Sequence, residues 1–180
     1  DRVRRVARGL MASRESVAVL GIGAMGGRIA ARLLDSGRRV VVWNRTPERA
    51  DELVERGAEW ADTPALAVDG VDVVVTMLAD SDALLAVVQQ LDDLRPGQTL
   101  VEMSTVGPAA VARVRAVVPP GVAVVDAPVL GSIGEAESGS LVVFVGAEHD
   151  HAARLRPLLA ELGEPIHVGG PGAGAAAKLV

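Results

Sequence analysis

The sequence predicts an α/β fold in which helices cover both faces of a doubly wound, mostly parallel sheet. Short valine-rich runs alternate along the chain with segments whose apolar residues recur at helical spacing. The run from Val71 to Met77 is apolar almost throughout, as is typical of a strand covered on both faces. A glycine-rich turn follows the first run directly. This succession favours right-handed crossovers between parallel strands.

The first strand and the first helix enclose three closely spaced glycines. A strand at 17–20 is followed by Gly21, Gly23 and Gly26, and apolar residues then recur with a helical period. Gly21 would permit a tight turn, Gly23 would let a pyrophosphate approach the backbone, and Gly26 would let the helix pack closely on the strand. The helix N-terminus would offer its N–H groups to the phosphates. We therefore expect a dinucleotide site in a Rossmann-type fold; a glycine-rich turn without a ligand is the alternative.

The remaining elements follow the same alternation. Thr46 is a suitable N-cap and Pro47 a suitable first residue for the second helix, which we expect to end at Gly57. The other strands are predicted at 39–43, 71–77, 99–103, 122–125, 141–145 and 166–168. The other helices are predicted from Thr63-Pro64, from Asp80 or Ser81, from Gly107 to Val118, from about Asp150 to Leu162, and from Ala175 onwards.

Composition and charge limit the function classes. The chain has 180 residues, no cysteine and a net charge of −5, which argues against general nucleic-acid binding and favours a cytoplasmic protein. No apolar run approaches the ~20 residues that a membrane span requires. We expect an arginine-rich extension at 1–15, one domain at 16–170, and the start of a further helix at 171–180.

The end of the second strand predicts which dinucleotide binds. Where NAD-binding domains carry an acidic residue that bonds the ribose 2′-hydroxyl, this chain has Asn44, followed by Arg45 and Thr46. A carboxylate would repel a 2′-phosphate, whereas a guanidinium and a hydroxyl would bind one. NADP is therefore the predicted cofactor and NAD the alternative.

Six motifs agree in order and spacing with one family. The chain resembles the NADP-binding domain of the β-hydroxyacid dehydrogenases, a group that includes 3-hydroxyisobutyrate dehydrogenase and the semialdehyde reductases. The resemblance covers residues 16–180. The motifs that carry it are Gly21-Ile22-Gly23-Ala24-Met25-Gly26, Trp43-Asn44-Arg45-Thr46, Thr76-Met77-Leu78, Ser104-Thr105-Val106, Asp126-Ala127-Pro128-Val129, and Gly172-Ala173-Gly174 leading to Lys178.

The resemblance implies a role for each matching position. The pyrophosphate would be held by Gly21, Ile22, Gly23, Ala24, Met25 and Gly26, and the 2′-phosphate by Asn44, Arg45 and Thr46. Other contacts to the cofactor would come from Met77, Leu78 and Thr105. The substrate carboxylate would meet Ser104, Val129, Leu130, Gly131 and Ser132. Lys178 would be the general acid/base.

Lys178 suits that role chemically. Reduction of a carbonyl needs a hydride on carbon and a proton on oxygen, and an ammonium group can donate the proton and stabilise the developing alkoxide. Lys178 is the only lysine in the chain. A solvated lysine on a helix is the alternative interpretation.

The chain also departs from the family pattern. Leu130 and Ser132 replace the serine and the second glycine of the usual substrate loop, which suggests a somewhat different acid. Family members continue into an all-helical domain that closes the site and builds a homo-oligomer, whereas this chain ends at Val180. We expect an NADP-dependent oxidoreductase for a small 3-hydroxy acid or its semialdehyde, inactive as this chain alone. An imine reductase and a non-catalytic NADP-binding module are the alternatives.

Four other features invite a function but favour structural roles. Asp126 is expected to bond backbone N–H groups rather than act as a base. The cluster at 149–151 is interpreted as the start of a helix and not as a metal site. Glu135 and Glu137 are expected in a solvated loop after Ser132, where Glu135 could border the substrate.

Overall fold

The computed structural model describes residues 14–180 of the chain. The predicted extension at 1–15 therefore lies almost wholly outside the described residues. Within them, the strands are β1 Val17–Leu20, β2 Val40–Trp43, β3 Glu59–Trp60, β4 Val73–Thr76, β5 Thr99–Glu102, β6 Ala123–Asp126, β7 Val129–Leu130, β8 Leu141–Gly146 and β9 Gly163–Gly169.

The helices alternate with these strands. They are α1 Ala24–Asp35, a 3₁₀ helix Pro47–Ala50, α2 Asp51–Glu55, α3 Pro64–Val68, α4 Ser81–Val88, α5 Gly107–Val117, α6 Ile133–Ser138, α7 His149–Leu159 and α8 Ala173–Lys178. None of the helices described for residues 14–180 is both long and apolar enough to cross a membrane.

All strands of the described chain form one sheet, in the order β3-β2-β1-β4-β5-β6-β8-β7, with β9 paired to β8. Strands β1 to β6 run parallel wherever they pair with one another. The first strand, β1, lies in the middle of the sheet. Strands β2 and β3 extend the sheet on one side of β1, and the chain then returns to place β4 on the other side of β1. This arrangement confirms the predicted doubly wound, mostly parallel sheet. It also places a crevice at the carboxyl ends of β1 and β4, where ligands of such folds bind.

The sheet separates two apolar cores. Alternate residues of β1 illustrate the division: Val17 and Val19 belong to one core with Ile29 and Leu33 of α1, while Leu20 belongs to the other. Successive side chains of a strand point to opposite faces, so both faces of β1 are covered by helices. This double coverage explains why the central strands are apolar throughout.

Four sequence expectations require correction. The helix predicted from Pro47 to Gly57 is a 3₁₀ turn followed by the short α2, and the Thr46 side chain makes no capping bond. Strand β8 runs antiparallel to β6 and β7, which periodicity alone does not reveal. The final strand is longer than predicted and spans Gly163–Gly169. Residues 129–138 form β7 and α6 rather than a loop, because Ser132 and Glu135 make a reciprocal capping box that starts a helix.

Candidate active site

The carboxyl ends of the central strands bring the predicted site segments together. Leu20, Thr76, Glu102 and Asp126 are register partners across β1, β4, β5 and β6, so these four strands end in one row. The loop after each strand therefore opens on the same edge of the sheet. The glycine turn, Met77-Leu78, and Ser104-Thr105 are segments of these loops.

Each of the three positions in the turn is occupied by glycine for a different geometrical reason. Gly21 has φ +103°, and a Cβ there would lie 2.2 Å from the Met77 carbonyl oxygen. A Cβ on Gly26 would lie 1.9 Å from the Gly21 carbonyl oxygen, so the first turn of α1 approaches the glycine turn at a distance that only glycine allows. A Cβ on Gly23 would meet no protein atom within 4 Å. The space above Gly23 is therefore open to a ligand, whereas the space at the other two glycines is filled by protein.

The N-terminus of α1 fits a phosphate group. Gly23 is its N-cap, no side chain caps the helix, and its first turn contains no acidic residue. The first N–H groups of a helix lack intrahelical acceptors and carry the positive end of the macrodipole. The open face of Gly23 and these amides are the features that a dinucleotide pyrophosphate requires.

Asn44 joins the glycine turn to the loop after β2. Its Oδ1 accepts a hydrogen bond from the N–H of Ile22 at 2.9 Å, and its Nδ2 donates to the carbonyl of Thr46 at 2.8 Å. The amide thus holds the two loops in a fixed relation. The side chains of Arg45 and Thr46 are exposed beside it.

A cleft of about 560 Å³ runs from the glycine turn along α1 toward the 3₁₀ helix and α2. Gly23 and Ala24 line one end, and Arg28 and Arg49 are among its charged residues. Arg28 is paired with Glu137 of α6 at 3.2 Å. Sequence reasoning did not single out Arg49, which the structure places in this cleft.

Met77 and Leu78 pack directly against the glycine turn. The Leu78 Cδ2 atom would lie 2.9 Å from a Cβ on Gly21. The N–H of Leu78 donates to the hydroxyl oxygen of Ser104 at 2.8 Å. Ser104 is buried, whereas Thr105 is exposed. Ser104 therefore connects the loops after β4 and β5.

Two buried carboxyl groups lie side by side beneath these loops. Glu102 and Asp126 are paired across β5 and β6, and both are 0% exposed. Glu102 Oε1 accepts from the N–H of Ser104 at 2.8 Å, but its Oε2 has no hydrogen-bond partner among the described residues. Burial raises the pKa of Glu102 to about 7; the charge of Asp126 adds to the rise, while hydrogen bonds from Ser104 oppose it.

Sequence reasoning missed Glu102, although the signal was visible. The motifs Leu100-Val101-Glu102 and Val124-Val125-Asp126 each end an apolar strand with a carboxylate. Neighbouring parallel strands bring such ends together. Asp126 bonds backbone N–H groups as predicted, but they belong to the distant segment at 172–175 and not to its own loop.

The predicted substrate segment forms β7, which pairs with β8 in the sheet, and the start of α6. Leu130 is 52% exposed, and Gly131 has φ +142° with Leu141 packed against it. The hydroxyl of Ser132 donates to Glu135 in the capping box. Glu135 is thereby engaged in starting α6, and the pKa of this exposed carboxyl is lowered by the hydroxyl and the N–H of Ser132.

Lys178 lies at the end of α8, a helix that crosses the ends of β6 and β8. It is half-buried. Its neighbour Leu179 lies against the start of α5, since a Cβ on Gly107 would be 3.5 Å from Leu179 Cδ1. The end of α8 therefore approaches the loop that contains Ser104 and Thr105.

The cluster at 149–151 begins α7, as expected for polar residues at a helix start. Among residues 14–180, no group of three histidine, cysteine, aspartate or glutamate side chains could hold a metal ion.

Comparison with known proteins identifies the family. The model of the NAD binding domain of 6-phosphogluconate dehydrogenase matches residues 16–170. The 3-hydroxyisobutyrate dehydrogenase of Pseudomonas aeruginosa is 37% identical over 91% of this chain and 57% of its own length.

Two solved structures have the same fold. One is the 3-hydroxyisobutyrate dehydrogenase of Mycobacterium tuberculosis with L-serine, with a TM-score of 0.84, 30% identity, and coverage of 92% of this chain and 58% of that chain. The other is an imine reductase from Pseudomonas sp., with a TM-score of 0.85, 32% identity, and coverage of 92% and 59%. The chain thus spans somewhat over half the length of these relatives. Since the family model covers nearly the whole described chain, the protein belongs to the family of the NAD binding domain of 6-phosphogluconate dehydrogenase.

Proposed function

We propose that the protein is an NADP-dependent oxidoreductase that interconverts a small 3-hydroxy acid and its semialdehyde, and that residues 16–170 are its cofactor-binding part. The observation that carries this proposal is the glycine turn, which is open at Gly23 and tied through Asn44 to the exposed Arg45 and Thr46. The similarity to 3-hydroxyisobutyrate dehydrogenases supports the substrate class.

The phosphates of the cofactor would be bound by two different parts of the site. The pyrophosphate would accept from the first N–H groups of α1 above Gly23. The 2′-phosphate would be held by Arg45 and Thr46, with Arg49 as a further cation at the end of the cleft. Asn44 contributes by orienting the loop, because both ends of its amide bond within the protein. The absence of a carboxylate at this position supports NADP over NAD.

A nicotinamide, when bound, would supply the hydride, and Lys178 would transfer the proton. In reduction, the ammonium group of Lys178 would donate a proton to the carbonyl oxygen; in oxidation, its neutral amine would accept the hydroxyl proton. Thr105 would lie beside the nicotinamide ribose. Ser104 would act through the N–H of Leu78, which it holds in place.

The substrate carboxylate would bind near residues 129–132. The hydroxyl and the backbone N–H of Ser132 both donate to Glu135, so the donors to a substrate carboxylate would come from the backbone before Ser132. The exposed Leu130 would give the substrate an apolar neighbour. We also propose that the protein forms a homo-oligomer and is located in the cytoplasm.

The experiment compares the protein encoded by the complete reading frame with its Lys178→Ala variant. We expect NADPH oxidation with a small carboxylate-bearing semialdehyde, and a kcat lower by about 10²- to 10⁴-fold in the variant. The Kd for NADPH should change less than about twofold, because Lys178 does not bind the phosphates. Arg113→Ala, an exposed cation on α5, is the control and should keep full activity. Equal activity in Lys178→Ala would contradict the proposed proton transfer.

The second candidate function is that of an imine reductase. It is favoured by the structural similarity of this chain to the imine reductase from Pseudomonas sp.. Cyclic imines assayed beside semialdehydes would distinguish the two reactions. NADPH binding with no turnover of either substrate class would instead indicate a non-catalytic module.

A further inference from the structure

Asp126 makes a contact that the proposed chemistry does not require. Its Oδ1 accepts the N–H of Gly172 at 2.6 Å, and its Oδ2 accepts the N–H of Ala175 at 2.7 Å. Gly172 is the N-cap of α8, and Ala175 is the third residue of that helix. Both carboxylate oxygens at the end of β6 are thus bonded to the first turn of α8. Hydrogen bonds to a carboxylate are stronger than neutral ones, and a helix N-terminus favours negative charge.

Two glycines let this contact form. A Cβ on Gly146 would lie 2.5 Å from Asp126 Oδ1 and 2.6 Å from its Oδ2. A Cβ on Gly174 would lie 2.4 Å from the Phe144 carbonyl oxygen and 2.9 Å from Asp126 Oδ2. Helix α8 therefore packs directly on the end of β6 and on Phe144 of β8, at a distance that leaves no space for a side chain at residue 174. The carboxylate of Asp126 bonds to the helix, and because residues 146 and 174 are glycines, no side chain pushes the helix away from it.

Lys178 lies only a short distance along α8 from the first turn, which is bonded to Asp126. Ala175 and Lys178 are three residues apart, so the helix rises only about 4.5 Å between them. Leu179 then lies against Gly107 at the start of α5. A shift of the first turn would consequently move the lysine relative to the loop of Ser104 and Thr105.

We propose that Asp126 is a positioning residue, whose carboxylate fixes the first turn of α8 and thereby the place of the Lys178 amine over the carboxyl edge of the sheet. This proposal rests on the proposed function, in which Lys178 transfers the proton. Asp126 acts only through the helix and does not touch the reacting atoms.

The test replaces Asp126 by asparagine in the protein encoded by the complete reading frame. The amide keeps the shape of the side chain but leaves an NH₂ group facing one of the two N–H donors. We expect amide hydrogen exchange in residues 172–178 to accelerate about 10-fold or more, because hydrogen bonds to a charged group are lost. The rate at which Lys178 is acetylated, measured peptide by peptide, should differ between Asp126→Asn and the unmodified protein. Amide hydrogen exchange in β1 and α1 should stay unchanged.

Turnover provides the functional measurement. Because the amine is misplaced, kcat should fall about 10- to 100-fold, whereas the Kd for NADPH and the KM for the substrate should stay within about twofold. Asp72→Asn is the matched control. Asp72 accepts the N–H and the hydroxyl of Ser16 at 2.7 and 2.8 Å, but it lies at the opposite edge of the sheet. Its loss should leave kcat and the exchange of α8 unchanged.

A second variant tests the same helix position without altering the carboxylate. Gly174→Ala would force α8 away from Phe144 and Asp126, and it should reproduce the kcat loss and the faster exchange. Unchanged exchange in Asp126→Asn would refute the anchor, and faster exchange with normal kcat would refute the positioning role. If the unmodified protein reduces no substrate, the proposed function fails, while exchange and acetylation still decide whether Asp126 anchors the helix.

Discussion

The buried Glu102 predicts an unusual dependence of stability on pH. Its carboxyl group is 0% exposed, and one of its oxygens has no hydrogen-bond partner among the described residues. Replacement by glutamine keeps the size of the side chain and the acceptor for the N–H of Ser104, but removes the ionisation. The comparison therefore isolates the free energy of charging this one group.

The magnitude follows from the pKa of Glu102, which burial raises from 4.5 to about 7. Between these two values the folded protein binds more protons than the unfolded chain, so the free energy of unfolding falls as the pH rises. One pKa unit corresponds to about 1.4 kcal/mol, and the full loss is therefore about 3 kcal/mol, complete above about pH 7.

Urea unfolding at a series of pH values measures this effect. Relative to the unmodified protein, Glu102→Gln should gain about 3 kcal/mol of stability as the pH rises from about 4 to about 8. Glu164→Gln, at an exposed position on β9, controls for the loss of one negative charge. If the stability difference between Glu102→Gln and the unmodified protein is the same at both ends of the range, the buried, proton-binding state of Glu102 is refuted.

Three further substitutions test the loops. Gly26→Ala should destabilise the protein by about 3 kcal/mol in urea unfolding, because its Cβ would collide with the Gly21 carbonyl; an unchanged midpoint would contradict that close approach. Arg45→Ala should raise the Kd for NADPH about 10-fold or more but leave that for NADH unchanged, and equal losses would contradict a 2′-phosphate contact. Ser104→Ala should cost about 1–3 kcal/mol of stability by removing the acceptor for the Leu78 N–H, whereas a neutral result would show that another group satisfies it.

Local patterns predicted most of the architecture. The valine runs became β1, β2, β4, β5, β6 and β8, because a parallel strand covered on both faces has no polar side to present. Of the two predicted caps for α4, Asp80 and Ser81, it is Asp80 whose side chain accepts from the N–H of Ala83. Strand β7 and helix α6 were missed because two residues are too few for a period, and because the Ser132–Glu135 capping box was interpreted as part of a loop.

Direction and pairing were harder to predict. The sequence of β8 is as apolar as that of its neighbours, yet β8 runs antiparallel to β6. Apolar content reports burial and not strand direction, which depends on where the preceding connection delivers the chain. Strand pairing also decides the surroundings of Glu102, because it places this carboxyl group beside that of Asp126.

The sequence by itself determined the turn at Gly21–Gly26, the order of the six valine-rich strands, and the family motifs, because each of these depends on residues close together in the chain. Only the tertiary structure decided how the loops are held. Its bonds join Ile22 to Asn44, Leu78 to Ser104, and Asp126 to Gly172, across 22, 26 and 46 residues. Such contacts depend on strand order and register, which bring the carboxyl ends together only when the whole sheet has formed.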